Sequence, residues 1–238
     1  MGISGVIVVL NEQKVLRRAL ENLQRFTNEI VLVDSHSTDD TLKIAAEYNC
    51  RIFQRDFDNH RDQKNFAIEQ CKSEWIFLLD ADEYCNNKLV EFLLPQGDKQ
   101  APLLEWMNSL GYDALGLPRY NLEDGVGPRG WPDIQTRLFK YYCRHVGHSA
   151  HHQTTGNAKN PAVISDTGFG WIYHDKTLER QKQQNRMYYF MSPQDYKVLP
   201  EGVSPEFATR FSKGPQNPSN PDCYNEYLKV IKPNATDI

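Results

Sequence analysis

The N-terminal half of the chain alternates short apolar runs with segments in which apolar residues recur at helical spacing. Residues 3–10 form the first apolar run, and apolar residues then recur three and four positions apart between residues 15 and 23. Residues 29–33 begin a second unit of the same kind, followed by helical spacing over residues 41–48. This pattern predicts two consecutive units of strand followed by helix.

Two further apolar runs continue the alternation. Residues 51–53 predict a short third strand, residues 61–71 a third helix, and residues 75–79 a fourth strand that is apolar throughout. Strands that alternate with helices favour a parallel, doubly wound sheet, in which ligands bind outside the carboxyl ends of the strands. We therefore expect an α/β fold of the Rossmann-like type, with its binding crevice at that edge of the sheet.

Polar residues follow three of the predicted strands at their carboxyl ends. The three groups are Asn11-Glu12, Asp34-Ser35 and Asp80-Ala81-Asp82. Each group alone has an ordinary explanation, because acidic residues are common where helices begin. Carboxylates that crowd together, however, are most easily kept ionised by a divalent cation with oxygen ligands. Three such groups meeting in one crevice indicate a polar binding site.

The second half of the chain has a less regular pattern. Its predicted elements are a helical segment over 89–110 with an interruption at 95–97, strands over 113–118 and 134–142, a turn-rich loop over 119–130, and a polar helix over 178–191. From residue 192 onward, Pro, Asn and Ser accumulate. We therefore expect one domain over residues 1–191, whose second half is a smaller mixed region, and a C-terminal wrap, lid or linker over 192–238.

Composition and charge narrow the class of protein. The 238 residues, 39% of them hydrophobic, suit one main soluble domain. A net charge of -4 argues against a nucleic-acid binder held by phosphate contacts. The five cysteines form no CxxC pair, which favours a reducing compartment without structural zinc. No apolar run is long enough to span a bilayer, so we predict a cytoplasmic protein, with peripheral membrane contact left open.

Histidines are concentrated in one part of the second half. His145, His148, His151 and His152 lie close together, and His174 follows an apolar segment. Such a cluster suggests metal binding or proton transfer, although the spacing matches no zinc signature. For each histidine taken singly, a surface position or a hydrogen-bonded core position is the more common explanation.

Three motifs in the first 85 residues resemble those of inverting glycosyltransferases of family 2. They are the strand ending in Asn11-Glu12, the run Asp34-Ser35-His36-Ser37-Thr38-Asp39-Asp40-Thr41, and Asp80-Ala81-Asp82 after an apolar strand. The chain is similar in particular to bacterial lipopolysaccharide-core glucosyltransferases. The resemblance continues more loosely to residue 191, through Trp131-Pro132-Asp133 and Arg137-Leu138-Phe139.

The resemblance implies a GT-A fold, with a nucleotide-sugar-binding half over residues 1–85 and an acceptor half over 86–191. It also implies a UDP-sugar donor, a glycan or glycoconjugate acceptor, and a Mn²⁺ or Mg²⁺ ion. The ion would act as a Lewis acid toward the leaving diphosphate.

Roles for individual residues follow from the same resemblance. The implied nucleotide-sugar site comprises Leu10, Asn11, Glu12, Asp34, Ser35, Asp80, Ala81 and Asp82. Within it, Asp34 would contact the uracil or ribose. Asp82, Asp80 and the late His174 would hold the metal. Arg61 and Lys64, on the third predicted helix, would add positive charge beside the phosphates, although solvated helix charges explain both residues equally well.

The general base is the point at which the chain departs from the family pattern. An inverting enzyme needs a base that takes the proton from the acceptor hydroxyl. Where related enzymes place an acid, commonly Glu after His, residues 148–153 read His-Ser-Ala-His-His-Gln. Asp133 and His152 are equal candidates, and His151 is adjacent to the latter. Glu123 and Asp124 come next.

Two other functions fit parts of the sequence. A sugar nucleotidyltransferase uses a related sheet and a metal, but it usually carries a glycine-rich basic loop after the first strand, which residues 10–14 lack. A non-catalytic nucleotide- or carbohydrate-binding module could retain the fold without a base. We therefore expect a metal-dependent glycosyltransferase, with the binding module as the main alternative.

Overall fold

The computed structural model describes residues 2–97, 99–127, 132–147, 152–153, 156–164, 168–180 and 182. Within these residues, helices and strands alternate regularly through the first half. The elements are β1 Ile3–Val9, α1 Leu16–Gln24, β2 Glu29–Asp34, α2 Thr41–Glu47, β3 Arg51–Gln54, α3 His60–Glu69, β4 Trp75–Leu78, β5 Glu83–Cys85, α4 Asn87–Leu93, α5 Pro102–Ser109, β6 Ala114–Glu123, β7 Asp133–Lys140, β8 Val146–Gly147, β9 His152–Gln153, β10 Pro161–Val163 and β11 Ile172–Lys176.

One mostly parallel sheet organises these elements. Its strand order is β3-β2-β1-β4-β7-β6-β11-β5, with β10 paired to β6. The first four strands of the chain are mutually parallel, whereas β7 runs antiparallel to both β4 and β6. The predicted α/β fold class, with a mostly parallel sheet of the GT-A type, is confirmed; the division of the domain at residue 86 stays a prediction. The carboxyl ends of β1, β2 and β4 consequently share one edge of the sheet.

Apolar layers cover both faces of this sheet. Leu20 of α1 and Ile44 of α2 belong to the core on one face, and Ile68 of α3 belongs to the core on the other. Strand β4 lies between β1 and β7 and is buried along its whole length. A strand covered on both faces has no reason to alternate, which explains why residues 75–79 are apolar throughout. The first acid of the Asp80-Ala81-Asp82 motif therefore falls where the chain leaves the core.

Strand β6 is longer than the sequence predicts. It extends to Glu123, although a turn-rich loop is predicted from residue 119, because residues 119–123 pair with the distant strand β11. The turn itself contains Asp124 and Gly125, both at positive φ. The backbone N–H of Asp124 donates to the carbonyl of Lys176 at 3.0 Å. The reserve base candidates Glu123 and Asp124 therefore lie beside the end of β11.

Other predicted elements of the second half agree only in part with the structure. The predicted helical segment over 89–110 is two helices, α4 and α5. Of the predicted helix over 178–191, the structure describes residues 178–180 and 182, and these residues are helical. The predicted C-terminal wrap, lid or linker over 192–238 lies outside the described residues. Among the described residues, no helix combines the length and hydrophobicity needed to cross a membrane.

Strand β5, which follows the Asp80-Ala81-Asp82 motif, is hydrogen-bonded to α1 through the side chain of Asn22. The amide nitrogen of Asn22 donates to the carbonyl of Cys85 at 3.0 Å, and its Oδ1 accepts from the N–H of Cys85 at 2.8 Å. Asn22 is buried, so water does not compete for these bonds. Helix α1 therefore fixes the strand that carries Glu83.

Replacing Asn22 with Ala should destabilise the protein, because the buried N–H and C=O of Cys85 would lose their partner. We expect the free energy of unfolding to fall by about 1–3 kcal/mol in urea titrations. Gln24→Ala is the control, because Gln24 is exposed on the same helix; it should stay within about 0.5 kcal/mol of the parent. Equal stability of the two variants would contradict the assignment.

Candidate functional site

The loops that follow β1 and β2 are joined by hydrogen bonds at the carboxyl edge of the sheet. The N–H of Asn11 donates to Oγ of Ser37 at 2.8 Å, and Oδ1 of Asn11 accepts from the N–H of Thr38 at 2.8 Å. The N–H of Glu12 donates to Oγ1 of Thr41 at 2.7 Å. The two loops therefore form one polar wall of the crevice, immediately beyond Leu10.

Asp34 is fully buried at the end of β2. Its two carboxylate oxygens accept from the N–H of Ser37 at 3.0 and 3.2 Å, and Oδ2 also accepts from Nε2 of Gln54 at 3.2 Å. The neighbouring Ser35 accepts from Nε2 of Gln63 through its hydroxyl at 2.8 Å. Asp34 thus shapes the turn after β2. Its contact with a uracil or ribose stays a prediction.

Two buried cations hold the carboxylate of Asp80. Nζ of Lys64 lies 2.9 Å from Oδ1, and Nη2 of Arg137 lies 2.7 Å from Oδ2. Burial opposes ionisation of Asp80, but the charges of Arg137 and Lys64 outweigh it and hold the pKa of Asp80 well below its usual range. Lys64 therefore faces the site. Arg61, the other cation predicted on this helix, pairs with its neighbour Asp62, with Nε 2.7 Å from Oδ1.

Glu83 is the fully buried centre of a wider network of ion pairs. Its Oε1 lies 2.8 Å from Nη1 of Arg119 and 2.5 Å from Nη2 of Arg137, and its Oε2 accepts from the N–H of Asp80 at 3.0 Å. Arg119 also binds both carboxylate oxygens of Asp133. Sequence reasoning missed Arg119 as a site residue, because its partners lie far away along the chain. Glu83 joins the end of β4 to strands β6 and β7.

Asp82 and His174 face each other across the crevice. Oδ1 of Asp82 lies 3.5 Å from Nε2 of His174, and Nδ1 of His174 lies 2.7 Å from Oδ1 of Asn121. An amide oxygen accepts a hydrogen bond from the N–H at Nδ1, so Nε2 donates to Asp82 when the ring is protonated and offers a lone pair to a cation when the ring is neutral. The structure therefore brings together two predicted metal ligands, while Ala81 is buried between the two acids of the motif.

The Asp82–His174 pair places a carboxylate oxygen and an imidazole nitrogen close together in the crevice. Both residues are buried, with 3% and 6% of their surface exposed. Burial opposes ionisation of Asp82, but the hydrogen bond and charge of His174 outweigh it and hold the pKa of Asp82 far below its usual range. Within the described part of the chain, no three His, Cys, Asp or Glu side chains converge on one point. Further ligands of a bound ion would therefore be phosphate oxygens and water.

Arg180 reaches the same place from the helical turn after β11, and sequence reasoning missed it. Its Nη1 and Nη2 each lie 2.6 Å from an oxygen of Glu12, and its Nε lies 3.0 Å from Oδ2 of Asp82. Lys176 is close as well: burial lowers its pKa, against the opposing charges of Asp82 and Asp80. The only sequence signal for these two cations is that they follow His174 closely.

The candidate bases are described to different extents. Asp133 begins β7; burial raises its pKa, but the hydrogen bonds and charge of Arg119 outweigh this, and the net pKa is lowered. His152 lies in β9 opposite Gly147, and the structure describes its backbone alone. His151 lies outside the described residues. The pairing with Arg119 makes Asp133 a weak proton acceptor.

Replacing Glu83 with Gln should be strongly destabilising, because it removes the buried negative charge that Arg119 and Arg137 share. We expect a loss of about 3–5 kcal/mol, the usual cost of breaking a buried ion pair from one side. Chemical denaturation measures it. Glu47→Gln is the matched control: its pair with Arg17 is exposed, so stability should scarcely change. A Glu83 variant as stable as this control would show that the network is not required.

Comparisons with known proteins agree with this geometry. LpsC of Rhizobium meliloti, a lipopolysaccharide core biosynthesis glycosyltransferase, is 39% identical over 99 residues, which cover 40% of this chain and 36% of LpsC. An uncharacterized glycosyltransferase of Rickettsia conorii is 34% identical over 87 residues, or 37% of this chain and 31% of that protein. The chain spans about a third of the length of these relatives.

The fold also has solved counterparts. S. aureus TarS 1-349, crystallised with UDP-GlcNAc, has a TM-score of 0.56 at 16% identity, and the likeness covers 97% of this chain and 82% of that one. At this identity the likeness concerns the fold, which is GT-A. The family model described as glycosyl transferase family 2 matches residues 4–179, from β1 through β11. The chain therefore belongs to glycosyl transferase family 2.

Proposed function

We propose that this protein transfers a sugar from a UDP-sugar to a hydroxyl of a glycan or glycoconjugate acceptor, with Mn²⁺ or Mg²⁺ and with inversion. The observation that carries the proposal is the pairing of Asp82 with His174 at the carboxyl edge of the sheet. Cationic side chains gather at the same edge, where a diphosphate would need them. The UDP-GlcNAc complex of TarS supports uridine as the nucleoside of the donor.

The donor would lie over the ends of β1, β2 and β4. Nucleotides bind outside the carboxyl ends of strands in open sheets of this type. The wall formed by Asn11 and Glu12 would border the nucleotide, together with Ser35. Asp34 would contribute by ordering the turn after β2, since its carboxylate already accepts from the N–H of Ser37.

Asp82 and His174 suit a divalent cation by the chemistry of their donor atoms. A carboxylate oxygen and an imidazole lone pair are both ligands of Mn²⁺, and both residues are buried. Asp80 is a weaker candidate than the resemblance implies, because Lys64 and Arg137 already balance its charge. A cation held by Asp82 and His174 would neutralise the charge that develops on the leaving diphosphate.

Other residues of the chain would then position these two ligands and accept the proton. Lys64 and Arg137 keep Asp80 ionised and fixed, which holds the turn that presents Asp82. Asn121 orients the ring of His174 through its Nδ1. A base on the acceptor side would take the proton from the attacking hydroxyl. We propose His152 for that role, because the pairing with Arg119 makes Asp133 a poor acceptor of protons.

Metal-dependent hydrolysis of UDP-sugars tests the proposed function. The parent protein should release UDP from a UDP-sugar in Mn²⁺ and stop when the chelator is in excess. Asp82→Asn should lower the rate by about 10²-fold or more, because the carboxylate is lost at the point of developing charge. Asp175→Asn is the control: Asp175 neighbours His174 in sequence but pairs with Arg18.

Full activity in excess chelator would remove the metal from the proposal. Binding of UDP without hydrolysis or transfer of any donor would instead support the non-catalytic binding module.

The pH dependence of transfer tests the choice of base. If His152 takes the proton, transfer should fall as the pH drops through about 6.5, where an ordinary imidazole becomes protonated. Asp133, whose pKa is lowered, would stay ionised and keep transfer active at a more acidic pH. We expect His152→Gln to reduce transfer about 10²- to 10⁴-fold while UDP affinity, measured by calorimetry, is kept. If transfer by the parent fell only below about pH 5, and only Asp133→Asn lost transfer, Asp133 rather than His152 would be the base.

A further inference from the structure

Arg180 lies between two acidic side chains of the proposed donor site. Its Nη1 and Nη2 lie 2.6 Å from the oxygens of Glu12, and its Nε lies 3.0 Å from Oδ2 of Asp82. Both carboxylates are largely buried, with side-chain exposures of 14% and 4%. Two ionised carboxylates in so confined a space repel each other, and the guanidinium between them offsets that repulsion.

A divalent cation at Asp82 and His174 would change this balance. It would place two positive charges beside the guanidinium, on a carboxylate that the guanidinium already holds. Arg180 and the cation therefore compete for Asp82. Glu12 is the second partner of Arg180 and contacts two of its guanidinium nitrogens. Glu12 can therefore keep Arg180 near the site after Arg180 releases Asp82.

A nucleoside diphosphate would remove the conflict between the two cations. Its phosphate oxygens bring the negative charge that a metal ion and a guanidinium together require. The planar fork of Arg matches phosphate geometry closely. With the diphosphate present, Arg180 can exchange Asp82 for a phosphate oxygen while the cation takes Asp82.

We propose that Arg180 is an internal counter-ion for Asp82, which makes metal binding depend on the nucleotide diphosphate. The proposal rests on the function proposed above and adds a coupling to it: the metal binds weakly alone and tightly with UDP. Because coupling between two ligands is reciprocal, UDP also binds more tightly when the metal is present. In the absence of both ligands, Arg180 stays bound to both Glu12 and Asp82.

Calorimetric titration of Mn²⁺, with and without saturating UDP, tests this coupling. In the parent, UDP should raise the affinity for Mn²⁺ by about 5- to 150-fold, the usual range of such couplings. Arg180→Gln should bind Mn²⁺ more tightly than the parent when UDP is absent, because the competing charge is gone. The same variant should bind UDP more weakly in saturating Mn²⁺, because a phosphate ligand is lost. If Arg180 had a purely structural role, its replacement would weaken the binding of both Mn²⁺ and UDP.

Three further variants make the experiment specific. Arg180→Lys keeps the charge but loses the planar fork that contacts Glu12 through two nitrogens and Asp82 through a third, so its coupling should fall between those of the parent and Arg180→Gln. Glu12→Gln removes the second partner and leaves Arg180 in place. It should strengthen the hold of Arg180 on Asp82 and weaken Mn²⁺ binding without UDP. Arg18→Gln is the control, because Arg18 pairs with Asp175 rather than with the site acids, and it should match the parent.

Unchanged or weaker Mn²⁺ binding by Arg180→Gln without UDP overturns the counter-ion role. If Asp82→Asn abolishes Mn²⁺ binding in the same assay, the proposed metal site survives and this inference alone is wrong. If the parent binds no Mn²⁺ with or without UDP, the metal-dependent function and the inference both fail. Should Arg180→Gln not fold, the Arg180→Lys and Glu12→Gln titrations decide, since they predict shifts of known direction.

Discussion

Three carboxylates at the end of one strand, two of them buried and one partly buried, are the constraint on which the rest of this structure depends. Asp80, Asp82 and Glu83 all lie within the five residues that follow β4, and Glu83 has no exposed surface. An ionised carboxylate is costly to bury unless cations and hydrogen bonds surround it. The chain supplies these cations from α3, β6, β7 and the turn after β11. Neutralising the acids therefore joins the two halves of the domain.

The three acids are not equivalent. Asp80 and Glu83 are held by cations that are themselves buried, Lys64 and Arg137. Asp82 is held by His174 and by Arg180, whose side chain is 29% exposed. The first two acids therefore have fixed partners, while the third has partners that can exchange for a ligand. This division separates the residues that shape the site from the residue that would perform its chemistry.

The first half of the fold was predictable because its signals are local. Apolar runs and helical spacing locate the first four strands and three helices, and the polar residues at the strand ends locate the crevice. Strand β6 was mispredicted beyond residue 118 because its partner β11 lies some fifty residues away. The cations Arg119 and Arg180 were missed for the same reason. Local sequence carries no sign of the acids they neutralise.

The location of a bound metal tests the central claim most directly. Crystals grown with UDP and Mn²⁺ would show the ion by its anomalous scattering. The account predicts a peak at coordination distance from both Asp82 and His174, next to the diphosphate, with Asp80 still paired to Lys64 and Arg137. A peak that contacts Asp80 but not His174, or UDP bound away from the ends of β1, β2 and β4, would contradict it.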